Sequence, residues 1–295
     1  MSTLSVLYDH PGPKARIRNL VASIIFGALL IALVWWVLSI LNDKGQLTAA
    51  KWKPLIDGQN WTTYLLPGLW NTVKAAVISV LIALPIGALL GVARMSDHAF
   101  IRWPASVIVE YFRSVPVIIL MVFAYAFWFQ VFGISSPLAA VVIGLVLYNG
   151  TVLAEVVRAG VRALPRGQTE ASMAIGLRKT QMMTQVLLPQ AVTTMLPAMV
   201  SQLVVILKDT ALGGILVGYA ELRRAAGTSA SNYQNLLPTY IVIAVVYILL
   251  NLLLTSSASV LEKRTRRIRG TGRPDGGPPA RGDQELVTRQ GEGAI

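Results

Sequence analysis

Long uncharged apolar stretches alternate with short polar segments along most of this chain. An apolar stretch of about 20 residues is long enough to cross a bilayer as a helix. The stretch at 114–154 is too long for one helix, and the turn-forming segment from Gly133 to Pro137 divides it in two. Pro189 and Pro197 predict kinks in the next stretch. The pattern predicts six membrane-spanning helices, located at residues 20–41, at 75–93 with a start near Leu66, twice within 114–154, at 180–207 and at 238–261.

The composition supports a membrane protein and excludes several kinds of site. Of the 295 residues, 54% are hydrophobic, and the mean hydropathy of +0.60 lies far above that of a soluble domain. Cysteine is absent, so the chain has no disulfide and no thiolate chemistry. His10 and His98 both lie in polar stretches, and we therefore expect no metal site.

The net charge of +12 comes from lysine and arginine residues at the ends of the apolar stretches. With six helices and both termini in the cytoplasm, most of these residues fall on the cytoplasmic side, as the positive-inside rule requires. This arrangement explains the basic charge without a nucleic-acid partner. It also places the loop at residues 163–180 in the cytoplasm.

This loop has the pattern of a short helix. Pro165 and Gly167 end the fourth span and begin a new helix, and Glu170 is expected in its first turn, near the positive end of the helix dipole. Ala171, Ala174 and Ile175 give it a small and apolar face, and Gly176 ends it. A soluble partner could grip such a helix in a groove. The alternative is a surface loop that only links two spans.

The spacing within this loop resembles the EAA loop of ABC-importer permeases. Glu170-Ala171-Ser172 is followed after three residues by Gly176, and nine residues later by Val186-Leu187-Leu188-Pro189. Ser172 stands where the pattern favours alanine, and it is also small. The resemblance implies that Gln168, Glu170, Ala171, Ser172, Gly176 and Pro189 form the loop that couples the chain to an ATPase.

The resemblance extends over residues 66–262 and is to the polar amino-acid branch of that family, most of all to the glutamate-uptake permeases of actinobacteria. Val115 departs from the branch, where threonine is usual. The branch's signature residues here are Arg113, Pro116, Glu155 and Arg158. The resemblance rests on the blocks Asn149–Gln168, Leu188–Ala191, Leu207–Leu212 and Arg113-Ser114-Val115-Pro116.

The resemblance implies an all-α membrane protein with six transmembrane helices. A five-helix type I permease core would occupy residues 66–262, with the coupling loop at 163–180. One extra helix at 20–42 would precede it, after a cytoplasmic N-terminal tail at 1–19. Residues 263–295 would form a basic, disordered cytoplasmic tail, whose first residues anchor the last helix against anionic lipid.

The resemblance also implies an import function shared with other chains. The chain would carry a polar amino acid, glutamate first, into the cytoplasm of a bacterium across its plasma membrane by alternating access. Glutamine, aspartate or a basic amino acid is the alternative substrate. The partners would be a cytoplasmic ABC ATPase dimer, a second permease that is a paralogue rather than another copy, and an extracytoplasmic amino-acid-binding protein. This chain has no phosphate-binding loop, so it binds no cofactor, and ATP and Mg belong to the ATPase.

Polar residues within the spans are candidates for the substrate pathway, since a charge in a span costs at least ~2.5–3.5 kcal/mol. By resemblance, Lys208 would hold a substrate carboxylate, Asp209 the α-ammonium group, and Thr210 would give a hydrogen bond. The alternative is a Lys208–Asp209 pair that neutralises itself at the outer end of the fifth span. Asn149 lies at mid-depth and could face the pathway or a neighbouring helix.

The remaining charges favour structural pairs over catalysis. Glu110 and Arg113 are three residues apart and could pair along one helix face, but the favoured interpretation is that Arg113 marks the cytoplasmic interface. Glu155 and Arg158 are also three residues apart, and a structural pair is expected there in preference to substrate contact. An intramembrane enzyme would need a nucleophile or paired carboxylates at one depth, and the sequence shows neither. An ion-driven transporter is a third class, and the inverted halves typical of it are not seen.

Overall fold

The computed structural model describes residues 12–270, with side chains over 12–258, and every regular element in this part of the chain is helical. The α-helices are α1 (Pro13–Asp43), α2 (Ala49–Trp52), α3 (Gly58–Asn60), α4 (Leu66–Ala93), α5 (Ala99–Ser114), α6 (Val117–Phe132), α7 (Pro137–Arg162), α8 (Arg166–Ala174), α9 (Lys179–Gln181), α10 (Leu188–Leu216), α11 (Leu222–Tyr233) and α12 (Leu236–Gly270). A 3-10 turn covers Lys53–Leu55, and π turns cover Trp61–Leu65 and Met182–Leu187.

Five of these helical runs are long and apolar enough to cross a membrane, and the number is six when α5 and α6, which meet at a bend of 104°, are counted together as one crossing. This agrees with the predicted six spans. The break between the third and fourth spans falls where Gly133 and Pro137 predicted it, since α6 ends at Phe132 and Gly133 adopts a φ of +66°. α1 is uncharged and mostly apolar over residues 20–41, and none of its residues is buried, as expected of a helix surrounded by lipid.

Both π turns precede a Leu-Pro pair. Proline has no N–H, so Pro67 and Pro189 cannot donate to the carbonyl four residues earlier. The chain instead widens by one residue, and Leu66 and Leu188 donate to the carbonyls of Trp61 and Met183, five residues back. Pro189 therefore ends a wide turn at the start of α10, while Pro197 lies inside that helix.

The sharp bend between α5 and α6 also has a local cause. Proline disfavours helical geometry in the residue before it, and Val115, which precedes Pro116, is extended with φ −90° and ψ 129°. Pro116 then caps α6, accepting hydrogen bonds at its carbonyl from Ile119 and Leu120.

One compact unit comprises residues 71–221 and the chain from Val246 onward. Its centre is α7, which packs against α4, α5, α6 and α10 and contributes many fully buried residues. Small residues permit close approach: Gly87 and Gly91 of α4 lie against Gly150 and Ala154 of α7. This is the small-residue packing expected between membrane helices.

The other unit comprises the chain up to Trp70 together with Leu222–Val245. In it, α11 packs on the π turn Trp61–Leu65. The buried Ser229 hydroxyl donates to Asn60 Oδ1 at 2.7 Å, and Asn235 Nδ2 donates to the carbonyl of Lys51 at 2.9 Å. Polar contacts thus tie the segment after α1 to the segment before α12.

Several elements differ from the predicted ones. The helices α5 and α11 and the short turns between residues 49 and 60 were not predicted. The fifth span was placed at 180–207, whereas the helical run continues to Leu216. α1 begins at Pro13, inside the predicted tail 1–19, and α12 continues to Gly270, so the predicted disorder of 263–295 is wrong at residues 263–270. The rest of that tail lies outside the described residues.

Candidate functional site

The predicted loop helix exists as α8, over Arg166–Ala174. Its end at Gly176 follows from backbone geometry: Gly176 adopts a φ of +78°, its N–H donates to Met173 O at 3.0 Å, and that of Leu177 donates to Ser172 O at 3.1 Å. These two bonds form a Schellman motif, which requires a left-handed residue at this position. The helix therefore ends here through a residue that tolerates a left-handed backbone, and glycine does so without steric cost.

One face of α8 packs on its own chain and the other is open. Ser172 is buried, and its hydroxyl donates to Gln168 O at 2.7 Å, so this side of the helix faces the rest of the chain. The open side carries Glu170, Ala171 and Ala174, together with Met173 and Ile175, whose exposed fractions are 57% and 76%. The prediction that Glu170 lies in the first turn is wrong, because the helix already begins at Arg166 and its first turn has no acidic residue.

α8 is fastened to the spans on both of its sides. Gln190 Nε2, in α10, donates to Gln168 Oε1 at 2.9 Å. A buried apolar cluster beneath the loop joins the end of α7, the second π turn and α10, and Leu164 and Leu177 on either side of α8 pack against it. This cluster consists of Val157, Val161, Met182, Met183, Leu187, Ala191 and Met195. A displacement of α8 would therefore also move α7 and α10.

A second group of charges holds α4, α5 and α7 together. Glu155 Oε2 lies 2.7 Å from Arg94 Nη1 and 3.6 Å from Arg113 Nη1, and Glu155 Oε1 lies 3.1 Å from Arg158 Nη1. Arg94 also pairs with Glu110 at 3.0 Å, and only 6% of the Arg94 side chain is exposed. Arg113 and Arg158, which sequence analysis named as signature residues, thus both contact the carboxylate of a third signature residue, Glu155.

The structure confirms the predicted Glu155–Arg158 pair and corrects the other. Arg113 pairs with Glu155 of α7, and Glu110 pairs with Arg94 at the end of α4. Local spacing suggested Glu110–Arg113, but both residues reach partners on other helices. Sequence analysis counted Arg94 only as a basic residue at a helix end and missed its central place in this cluster. Pro116 lies beyond it, at the bend before α6.

Asn149 lies fully buried in α7 and contacts a residue that sequence analysis missed. Its Nδ2 donates to Leu145 O at 2.9 Å, and its Oδ1 accepts from Nε2 of Gln202 in α10. This bond to a neighbouring helix is one of the two predicted roles, and the role in the pathway stays a prediction. Gln202 could have been identified from the sequence, because it is a polar residue within a predicted span that carries no charge.

Lys208, Asp209 and Thr210 lie within α10, not at its end, since the helix runs on to Leu216. Consecutive residues of a helix point about 100° apart, so the three cannot share one face. Lys208 is exposed, Asp209 is half-buried, and Thr210 is fully buried with its hydroxyl donating to Leu207 O at 2.7 Å. Asp209 lies seven residues after Gln202, on the same side of the helix.

The loop after α10 contains a buried polar cluster that sequence analysis also missed. Tyr219 donates to Asn71 O at 2.8 Å, and Tyr247 donates to Oε2 of the fully buried Glu221 at 3.1 Å. Burial, with a smaller effect of the Glu221 carboxylate, raises the pKa of Tyr219 to about 12. The Tyr219 hydroxyl therefore keeps its proton and its hydrogen bond at physiological pH.

Several known proteins have sequences similar to that of this chain. Residues 83–267 match the family described as binding-protein-dependent transport system inner membrane components. The glutamate transport system permease protein GluD of Corynebacterium glutamicum is 46% identical over 252 residues, which are 84% of this chain and 92% of that protein. The glutamate/aspartate import permease protein GltK of Escherichia coli is 30% identical, over 68% of this chain and 93% of that protein.

A solved structure shares the fold as well. It is described as a crystal structure of an amino acid ABC transporter with histidines, and its matching chain is 30% identical with a TM-score of 0.64. The alignment covers 69% of this chain and 95% of that chain. These matches confirm the resemblance that the loop spacing predicted. The chain belongs to the family of binding-protein-dependent transport system inner membrane components.

Proposed function

We propose that this chain is the membrane-spanning subunit through which glutamate enters the cell in an ATP-driven importer. The observation that carries the proposal is the 46% identity to a glutamate permease over 92% of that protein's length. Aspartate is the second candidate substrate, because a 30% identical relative is described as a glutamate/aspartate permease. Both substrates present two carboxylates and one ammonium group.

The proposed coupling element is α8. Its open face of small and apolar side chains fits a groove in a separate cytoplasmic ATPase, and the charged Glu170 lies beside that face. ATP and Mg would bind to that ATPase dimer. Closure of the dimer would push α8, and the Gln168–Gln190 bond and the apolar cluster beneath the loop would pass the movement to α7 and α10.

The proposed pathway follows one side of α10. Gln202 and Asp209 lie two turns apart on that side, and Gln202 meets Asn149 of α7. An amide and a carboxylate suit the polar groups of an amino acid, and the exposed Lys208 adds a cation for a carboxylate. Thr210 is buried within the chain, so we leave it out of the pathway.

Besides the ATPase, the full transporter would contain two further components. We propose a second permease, a paralogue of this chain, across the pathway, and an extracytoplasmic binding protein that delivers the amino acid. The chain would lie in the bacterial plasma membrane with both termini in the cytoplasm. The excess of lysine and arginine in the segments on the α8 side supports this orientation.

The test is a reconstituted uptake assay. The chain is co-expressed with the ATPase and permease that purify with it, placed in liposomes, and supplied with radiolabelled glutamate and the cognate binding protein. Uptake should need ATP inside the liposome and should be blocked by excess unlabelled glutamate, and less by arginine or glutamine. Equal competition by arginine would refute an acidic substrate, and failure to recover an ATPase would refute the coupling scheme.

A matched pair of variants tests α8 itself. Ile175, the C-cap residue of α8, and Ile56, in the segment after α1, are both highly exposed, at 76% and 87%. Ile175→Glu should abolish ATPase binding and uptake, because it places a charge on the apolar docking face. Ile56→Glu should leave ATPase binding unchanged. Equal effects of the two changes would show that α8 is not the docking element.

A further inference from the structure

α5 (Ala99–Ser114) has two unlike faces. Ala105 and Val109 are buried against the rest of the chain, whereas the opposite side of the helix exposes a row of large side chains, called the aromatic stripe here. The aromatic stripe consists of Phe100, Trp103, Val107 and Tyr111, which follow one another at helical spacing on one side of α5. The exposed fractions of Phe100, Trp103 and Tyr111 are 90%, 70% and 62%. Such large apolar exposure marks a surface that meets something other than water.

The direction of α5 points to the bilayer. α5 meets α6 at 104°, and α6 is uncharged and apolar on all sides. A helix nearly perpendicular to a membrane-crossing helix runs along the membrane surface. α6, the next helix in the chain, also exposes large aromatic side chains, among them Phe123 and Phe127. Exposed aromatic side chains on both α5 and α6 suit two helices that meet a bilayer.

The side of the membrane follows from the chain path. After α5 the chain crosses once in α6 and back in α7, so α5 and α8 lie on the same side. A side-chain contact supports this: Lys179, just after α8, pairs with Asp97, just before α5. The Lys179 ammonium group holds the pKa of the Asp97 carboxyl below its usual value.

The polar edge of α5 is held by the spans. Glu110 pairs with Arg94 at the end of α4, and Arg113 pairs with Glu155 of α7. Arg102 donates to the carbonyls of Ser96 and Asp97 at 3.0 and 3.3 Å. One edge of the helix is thus fixed by charge, and the other presents tryptophan and tyrosine, the residues that favour the membrane–water interface.

We propose that α5 is an interfacial helix whose aromatic stripe lies between the lipid headgroups and acyl chains of the leaflet on the α8 side. The partner is the lipid surface itself. The ion pairs of Glu110 and Arg113 would then connect this leaflet to α4 and α7. The proposal depends on the membrane-spanning fold and not on the identity of the transported substrate.

The absence of cysteine from the chain makes the test direct. Single cysteines replace Phe100, Trp103, Val107 and Tyr111 in turn in the full chain, purified with its natural partners. Each is spin-labelled and reconstituted into vesicles of phosphatidylcholine and phosphatidylglycerol. Collision rates with oxygen, which concentrates in lipid, and with a water-soluble nickel chelate then give the depth of each label. Phe123→Cys and Phe127→Cys on α6 are the matched controls.

The four α5 labels should lie at one shallow depth, whereas the two α6 labels should differ by about 6 Å, since a helix rises 1.5 Å per residue. If α5 were part of a transmembrane span, the labels at 100 and 111 would differ by about 16 Å, which would overturn the proposal. Labels reached only by the nickel chelate would place the stripe in water. Labels reached by neither probe would place it against a partner protein, and both results would also refute an interfacial helix.

Discussion

The contact of α4 with α7 provides a sharp test of the packing. A Cβ atom added at Gly87 would lie 2.6 Å from Leu153 Cβ and 2.8 Å from Gly150 O. One added at Gly91 would lie 2.7 Å from Ala154 O and 2.9 Å from Val157 Cβ. Carbon atoms pack best at about 3.5–4.0 Å, so either methyl group would force the helices apart by about 1 Å. Overpacking of this kind costs about 1–3 kcal/mol.

We therefore expect Gly87→Ala and Gly91→Ala each to lower the free energy of unfolding by about 2 kcal/mol. The double variant should lose less than the sum, because one outward shift of α4 relieves both contacts. Unfolding in mixed micelles with increasing denaturing detergent, followed by the fluorescence of the seven tryptophans, measures these changes.

Two other glycines serve as controls. At Gly150 the nearest atom to an added Cβ is 3.5 Å away, which is an ordinary contact. At Gly27 in α1 no atom of the described residues lies within 4 Å, the backbone of α1 itself set aside. Gly150→Ala and Gly27→Ala should both leave stability unchanged. Should Gly91→Ala prove as stable as Gly27→Ala, the close approach of α4 and α7 would be refuted. If the double variant lost as much free energy of unfolding as the two single variants together, the idea that one shift of α4 relieves both contacts would be refuted.

Three further predictions concern the site. Gly176→Val should destabilise the end of α8 by about 1–2 kcal/mol and lower uptake, whereas Gly176→Asn should retain both, because asparagine tolerates a left-handed backbone. Equal uptake by the two variants would refute the need for a left-handed residue at position 176. Glu155→Gln should cost about 2 kcal/mol in detergent unfolding, because the buried Arg94 loses one charged partner and keeps Glu110 as another. Adding Arg94→Met should recover part of that loss; no recovery would show that the buried charge is not the cause. A double-mutant cycle of Asn149→Ala and Gln202→Ala should give a coupling energy of about 1 kcal/mol in the same assay, and a value of zero would refute their bond.

The spans and the loop helix could be predicted because their causes are local. Apolar length sets a span, Gly133 and Pro137 interrupt one, and Gly176 ends α8 through its own backbone freedom. The fifth span was predicted too short because Lys208 was taken as its end. α10 carries this charge and continues, since the following residues are again apolar and helix-forming.

Contacts between distant helices could not be read from local spacing. A separation of three residues suggested the Glu110–Arg113 pair, but the bend at Pro116 and the packing of α5 on α7 give Arg113 a partner in Glu155. α5 itself was missed because Arg102, Glu110 and Arg113 lower its hydropathy. Its apolar residues nevertheless recur at helical spacing, so a search for amphipathic periodicity would have found it.

The same charge cluster bears on how a push at α8 would spread. α4 and α7 are joined at one end by the Arg94–Glu155 pair and further along by Gly87 and Gly91, whose separations leave no room for sliding. α10 is packed closely on α7 as well, since Gly213 lies against Val141 and Gly160 against Met195, and the Asn149–Gln202 bond joins the two helices between these contacts. Since packed interfaces resist gradual deformation, a push at α8 should move α4, α7 and α10 as one body. The pathway residues proposed for glutamate lie along α10 and would move with this body, so access should change where the body meets the rest of the transporter.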